Sequence, residues 1–338
     1  MRKLIIYIML LILIVFLIPI IFTNKFGDNK QTSSIVENID NKEDKTNPKE
    51  SSYDYKKYNT VKVLHTKTNN IEEINLDEYL YGVVSAEMPA SFEEEALKAQ
   101  SIVARTYTIY KIIHNGGKHE GADICDDSTC CQAWISKEDR LSKWDENERE
   151  SNWNKIVQAV NETKGKIITY NGEPINAFFH SNSGGSTEAP INVWGGTGYP
   201  YLQTVETSGE DAYTQYKSEV VISKEELISK MKEKYEDFSI NFEDSSSIQI
   251  LEYTEGKRVK TIKIGNKNLS GVEVRSIFTL KSANFTVNIE DNNIKFSVIG
   301  YGHGVGMSQT GADSLAKQGK TCEEIITHFY TGVNVIDL

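Results

Sequence analysis

Leu76–Thr108 reads LDEYLYGVVSAEMPASFEEEALKAQSIVARTYT, two helices separated by a short break. The first is expected from Leu76 to Met88, where Pro89 stops it: proline has no amide to donate and restricts the residue before it. At 100° per residue Leu76, Leu80, Val83 and Val84 share one face, flanked by Tyr79 and Ala86. Glu87 falls in the middle of that face. A carboxyl on an apolar stripe loses hydration, which raises its pKa and holds its proton nearer neutrality. A general acid needs that property. The bland reading, a last-turn side chain that escapes into solvent, stays open on spacing alone.

The second helix is expected from Phe92 to His114, with Asn115-Gly116-Gly117 as its stop. Ala96, Leu97, Ala99, Ile102, Val103, Ala104, Tyr107, Ile109, Tyr110 and Ile113 cover most of its circumference, so it belongs in a core. Its narrow polar stripe holds Lys98, Ser101, Arg105 and Thr108 and must meet water, an acidic partner or a cleft. Pro89, Ala90 and Ser91 are the whole connection, so Glu87 and the basic stripe are close enough to line one groove.

Outward from this pair the signals are mixed. VKVLHTKTNNIEEI is a hairpin turning near Asn69 and Asn70, and GKIITYNGEPINAFF carries Asn171-Gly172, a strong type I′ turn signal. RVKTIKIGNKN and NFTVNIEDNNIKFSVIG read as further strand pairs. Helix starts are marked by Asn75 with Glu78, Ser91 with Glu94, Ser270 with Glu273 and Thr321 with Glu324. Strands and helices do not alternate regularly and no repeat is present. The expected class is α+β, with helices and antiparallel hairpins forming two lobes around a groove.

The chain begins differently. After Arg2 and Lys3, Leu4 to Thr23 carries no charge. About 20 apolar residues span the roughly 30 Å hydrocarbon core of a bilayer. Pro19 is tolerated in such a helix. No small-residue cleavage site follows, so residues 1–23 read as a retained transmembrane anchor with the N-terminus inside and the body outside the cytoplasm, at the cell membrane. Residues 24–52 are too polar to fold and read as a flexible linker of roughly 30 Å root-mean-square reach. Residues 53–338 are the extracytoplasmic body. The formal net charge is −11; Arg2 and Lys3 are the only charges before Asn24, so the remainder carries −13. A surface that acidic excludes a nucleic-acid phosphate binder.

His119, Cys125 and Cys131 stand six residues apart in HEGADICDDSTCCQAW. Two thiolates and an imidazole suit Zn²⁺ and leave a fourth position open. A Cys125–Cys131 or Cys125–Cys130 disulfide is the competing reading outside the cytoplasm. Cys130 has no assigned role, and Cys322 reads as a small buried hydrophobe. HSNSGGSTE (His180–Glu188) and GHGVGMSQTGA (Gly302–Ala312) are glycine-rich, allowing either tight turns or close approach of backbone to a sugar. Trp134, Trp194 and Tyr199 are candidate stacking rings.

The Leu76–Thr108 stretch resembles the opening signature of the SpoIID/LytB family, and the two glycine-rich stretches resemble its other signatures, in the same order. The resemblance covers the chain from about Val61 to its end. It implies a lytic transglycosylase acting on peptidoglycan glycan strands in sporulation, during engulfment. It makes Glu87 the catalytic acid, with Lys98 and Arg105 expected to matter for activity as substrate-binding residues that orient Glu87 or hold substrate oxygens. His180, Ser181, Ser183 and His303 are then candidate sugar contacts. Clostridial members are similar in having a zinc site of this kind, which favours metal at His119, Cys125 and Cys131, holding the loop near Glu87. Implied partners are a wall amidase and another sporulation membrane protein. The LytB side of the family implies a different role, a non-enzymatic enhancer of an amidase. A zinc-dependent amidase is disfavoured because no water-activating base stands beside the candidate metal residues.

Overall fold

A computed structural model describes residues 58–114 and 118–337. The expected anchor, the linker and the Asn115-Gly116-Gly117 stop lie outside the described residues. No helix among the described residues is long and apolar enough to cross a membrane.

The first hairpin is β1 (Thr60–His65) and β2 (Asn70–Asn75), closed by Asn69 in the left-handed region. Asn75 ends β2 and caps helix α1 (Leu76–Glu87), its side chain accepting the Asp77 and Glu78 amides. Leu76, Tyr79, Leu80, Val83 and Val84 are buried, as the stripe requires. Helix α2 (Glu94–His114) begins two residues later than expected. Ser91 does not cap it; the Phe92 amide closes a turn on Pro89, and the Asp313 carboxylate takes the Glu93 amide at 2.6 Å. This anchor comes from 220 residues away, so no local pattern announces it.

Strand β3 (Ile124–Cys125) adds parallel to β1. Helices α3 (Lys137–Ser142) and α4 (Arg149–Glu162) follow. The Asn171-Gly172 turn joins β4 (Lys166–Tyr170) to β5 (Glu173–Pro174), both turn residues with positive φ as a type I′ turn demands. Strand β6 (Phe179–His180) leads into the second signature.

After the short helix α5 (Pro190–Trp194) the chain builds a second hydrophobic cluster. It contains β7 (Lys217–Ser223), α6 (Lys224–Lys234), β8 (Ile248–Tyr253), β9 (Val259–Ile264), β10 (Lys267–Leu269), α7 (Gly271–Ile277), β11 (Phe285–Glu290) and β12 (Asn293–Ile299). Two antiparallel three-stranded sheets, ordered β10-β9-β8 and β11-β12-β7, enclose Ile262, Ile264, Phe285 and Phe296. Both anticipated strand pairs are among them. The Ser270–Glu273 capping box starts α7.

The chain then returns to the first cluster. Strand β13 (Met307–Ser308) pairs parallel with β6, followed by α8 (Gln309–Lys317), α9 (Cys322–Phe329) and β14 (Asn334–Asp337), which pairs with β4. The described residues therefore form a mixed α+β fold with two hydrophobic clusters.

Candidate active site and cysteine cluster

Glu87 is the last residue of α1, partly buried, and both carboxylate oxygens are held. Oε1 accepts the Ala133 amide at 2.7 Å and Oε2 accepts the Gln309 side-chain amide at 3.0 Å. Burial pushes its pKa above the ordinary carboxyl value, against the downward pull of those two bonds. Asp77 and Glu78 lie at the other end of α1, about 15 Å away by helical rise.

The loop that supplies Ala133 is bolted to both helices. The Gln132 side-chain amide donates to the Tyr79 hydroxyl at 3.1 Å and to the Thr108 hydroxyl at 2.9 Å. Trp134 packs directly on α1 at Gly82, where any Cβ would stand 2.3 Å from the indole nitrogen. Trp134 is thus a packing residue of the loop, fitted to a glycine on the helix.

One residue upstream of Gln132 is a cluster of four donors. His119, Cys125, Cys130 and Cys131 bring their ligand atoms within 4.8 Å of one another, a group that can hold a metal ion. Nε2 of His119 lies 3.4 Å from Cys131 Sγ and 3.6 Å from Cys130 Sγ. All the cysteines are free thiols, so neither expected disulfide is formed. Cys130 enters the set and fills the position that the three-ligand reading left open. Cys322 lies outside it.

Gln309 arrives from the third signature, and its placement depends on a buried carboxylate. Glu210 accepts the Ser183 and Gly185 amides, each at 3.0 Å, and the hydroxyls of Ser183, Thr207, Ser308 and Thr310. Ser308 and Thr310 flank Gln309, so Glu210 fixes the residue that holds Glu87. Burial would raise the Glu210 pKa, but the bonds from Ser183, Ser308 and Thr207 bring it down to about 2. Sequence reading passed over Glu210, which sits in a turn with no motif of its own. Gln309 lay inside a quoted signature without being singled out.

The other expected site residues are placed as follows. Lys98 pairs with Glu94, Glu95 and Glu162 at 3.0, 3.1 and 2.6 Å. Arg105 is buried: it donates to the Thr163 carbonyl at 2.7 Å, to that of Val160 at 3.3 Å, and to Asp77 at 3.3 Å. The polar stripe of α2 meets acidic partners and the end of α4, and neither cation bonds to Glu87. The expected shared groove is not formed by these two residues. Ser183 is buried on Glu210 and Thr207. The Ser181 carbonyl accepts the Thr310 amide at 3.0 Å, tying the second signature to the third beside Gln309. His180 is buried, with Nδ1 3.2 Å from the Val305 carbonyl and Nε2 without a partner. His303 Nδ1 accepts the Val305 amide at 3.0 Å, and a backbone bond to Phe179 engages the ring as well. Burial, then Arg275 and Arg258, push the His303 pKa down to about 4, so the ring is neutral. The glycines of the third signature approach protein rather than an open site: a Cβ on Gly304, at φ +86°, would strike the Arg258 guanidinium at 2.3 Å.

Comparison with known proteins places the chain in a family. The family model described as stage II sporulation protein matches residues 64–170. Stage II sporulation protein D of Bacillus subtilis is 33% identical over 326 residues, 95% of this chain and 92% of the relative. Its counterpart from Bacillus amyloliquefaciens is 34% identical over 278 residues, 82% and 78% of the two chains. The amidase enhancer of B. subtilis is 31% identical over 305 residues, covering 76% of this chain but 40% of that protein. The chain belongs to the stage II sporulation protein D family.

Proposed function

We propose that this protein is a membrane-anchored lytic transglycosylase that cuts peptidoglycan glycan strands in sporulation, with Glu87 as its single acid and base. The observation that carries the reading is a partly buried carboxyl whose pKa burial raises and whose two oxygens meet fixed donors. Protonated Glu87 gives its proton to the glycosidic oxygen as the bond breaks. The carboxylate so formed is received by the Ala133 and Gln309 N–H groups, which lowers the cost of releasing the proton. It then takes the proton of the 6-hydroxyl of muramic acid, and that oxygen closes a 1,6-anhydro ring. Glycoside hydrolases use two carboxyl groups because water must be activated or a covalent ester formed. An internal hydroxyl removes that need.

Zinc is our assignment for the four-donor cluster. Around a tetrahedral ion with Zn–S near 2.3 Å, neighbouring sulfurs stand about 3.8 Å apart. The Cys130–Cys131 sulfur separation is 3.9 Å. With three thiolates and an imidazole the ion would be closed and structural, cross-linking the loop that carries Ala133 to Glu87. His119, Cys125, Cys130 and Cys131 would hold it, and no proton transfer in the scheme passes through it.

Digestion of purified glycan strands by the full-length protein in detergent, followed by mass analysis of the ends, tests the reading. Anhydro ends from wild type and none from Glu87→Gln are expected. The relative named amidase enhancer supports a second reading, a wall-binding protein that stimulates an amidase. No product from either protein, with stimulation of a separate amidase, would establish that reading in place of ours.

A further inference from the structure

The body is strongly acidic, and many of its lysines stand against carboxylates, as Lys98, Lys166, Lys267 and Lys317 do. Arg275 and Lys281 are among the described cations that have no acid partner. The Arg275 Nε donates to the Leu280 carbonyl at 3.3 Å, and among the described residues no acid pairs with its guanidinium. Lys281 Nζ lies 5.0 Å from the centre of the Tyr301 ring instead of on an acid. Tyr301 nevertheless remains 43% exposed, and Trp194 is 51% exposed. His303, two residues from Tyr301, has its ring centre 5.1 Å from that of Trp194, and it lines a narrow cleft together with Arg275, Asn192 and Glu188. Glu188 keeps its charge in this cleft, where its oxygens accept the Ala189 amide, the Asn192 side-chain amide and the Thr254 hydroxyl, and the Arg258 guanidinium that also lines the cleft offsets it.

Two open aromatic rings and two unpaired cations therefore share one rim of an acidic molecule. The segment that carries Tyr301 and His303 runs on through buried residues to Gln309, which holds Glu87. Gln309 lies eight residues beyond Tyr301, at most about 28 Å along the chain. A guanidinium takes a carboxylate through paired N–H bonds, and an aromatic face offers a flat apolar surface to a sugar ring. We propose that this rim is a binding subsite for a carboxylate-bearing unit of the glycan strand, its ring against Trp194 and its carboxylate on Arg275 and Lys281. The proposal rests on the reading of the substrate as wall glycan. The carboxylate is either the lactyl group of muramic acid freed of peptide or a group of the attached peptide itself.

The test is equilibrium binding to full-length protein carrying Glu87→Gln, so that affinity is read without cleavage. The probes are an oligosaccharide alternating N-acetylglucosamine with muramic acid bearing free lactyl groups, the same oligosaccharide with peptides attached, and an N-acetylglucosamine oligomer of equal length. At least one carboxylate-bearing probe should bind about tenfold tighter than the uncharged oligomer, the worth of one charge-assisted hydrogen bond. Salt should erode that advantage. Arg275→Gln with Lys281→Gln should erase it while leaving the uncharged oligomer's affinity in place, and Trp194→Ala should weaken all probes. The probe that loses affinity in the double variant identifies the source of the carboxylate. An advantage that survives the double variant, an advantage absent from the start, or a Trp194→Ala protein with unchanged affinities would overturn the subsite. Loss of anhydro ends in the digestion with this binding pattern intact would strike the transglycosylase reading alone.

Discussion

Glu87 balances two opposed influences: burial keeps the proton on, and two N–H donors ease its departure. Removing one donor should move the balance in a known direction. Gln309→Leu deletes a bond that favours the carboxylate, so the Glu87 pKa should rise further. The alkaline limb of the pH–rate profile should then shift to higher pH, because activity needs the protonated form. At the same time kcat should fall about tenfold, as the carboxylate formed after proton donation loses a partner. A Gln309→Leu enzyme with an unmoved alkaline limb would show that Gln309 does not act on this proton. Arg105 makes the complementary case. Its guanidinium satisfies the carbonyls of Thr163 and Val160 as well as Asp77, all remote from the reacting carboxyl. Arg105→Met should cost about 3 kcal/mol of stability, since it leaves a half-buried carboxylate and buried carbonyls short of a donor. Thermal unfolding should show the loss, with KM for glycan strands unchanged. A raised KM at unaltered stability would return Arg105 to the substrate.

At the scale of elements, local patterns carried much of the information. The hairpins at Asn69 and Asn171, the buried stripe of α1 and the box at Ser270 each follow from residues within a few positions of one another. What escaped sequence reading was long-range. Asp313 fastens the start of α2, Gln309 reaches across to Glu87, and Cys130 joins the four-donor cluster only because the loop folds back on His119. The polar stripe of α2 was seen as a stripe, but spacing along one helix cannot say which neighbour it meets. The loop from His119 to Trp134 is the element most exposed to experiment. If the four donors hold the proposed zinc, chelation should loosen the Ala133 amide, which then exchanges faster with solvent deuterium, while amides in the β11–β12 hairpin keep their protection. Cleavage should fall in parallel. Unchanged exchange at Ala133 after metal removal would separate the cysteine cluster from the active site.

Across the whole molecule, the two glycine-rich signatures meet on Glu210, and the returning segment from Met307 onward rejoins the first hydrophobic cluster to deliver Gln309. A carboxylate lowered to about 2 stabilises the folded state at neutral pH, and that contribution fades as pH falls from the ordinary value near 4.5 toward 2. Glu210→Gln should therefore destabilise the protein by about 3 kcal/mol at pH 7. In denaturant titrations the gap from wild type should close as the solution is acidified. A gap independent of pH would mean that the loss is one of packing. The chemistry itself is tested most directly by digesting glycan strands in water enriched in heavy oxygen and weighing the new ends. An internal hydroxyl closing the ring leaves no solvent oxygen in the product, so the account predicts anhydro ends of unaltered isotopic mass. Heavy oxygen at the new muramic acid ends would mean that water is the nucleophile, and a single carboxyl at Glu87 would no longer suffice.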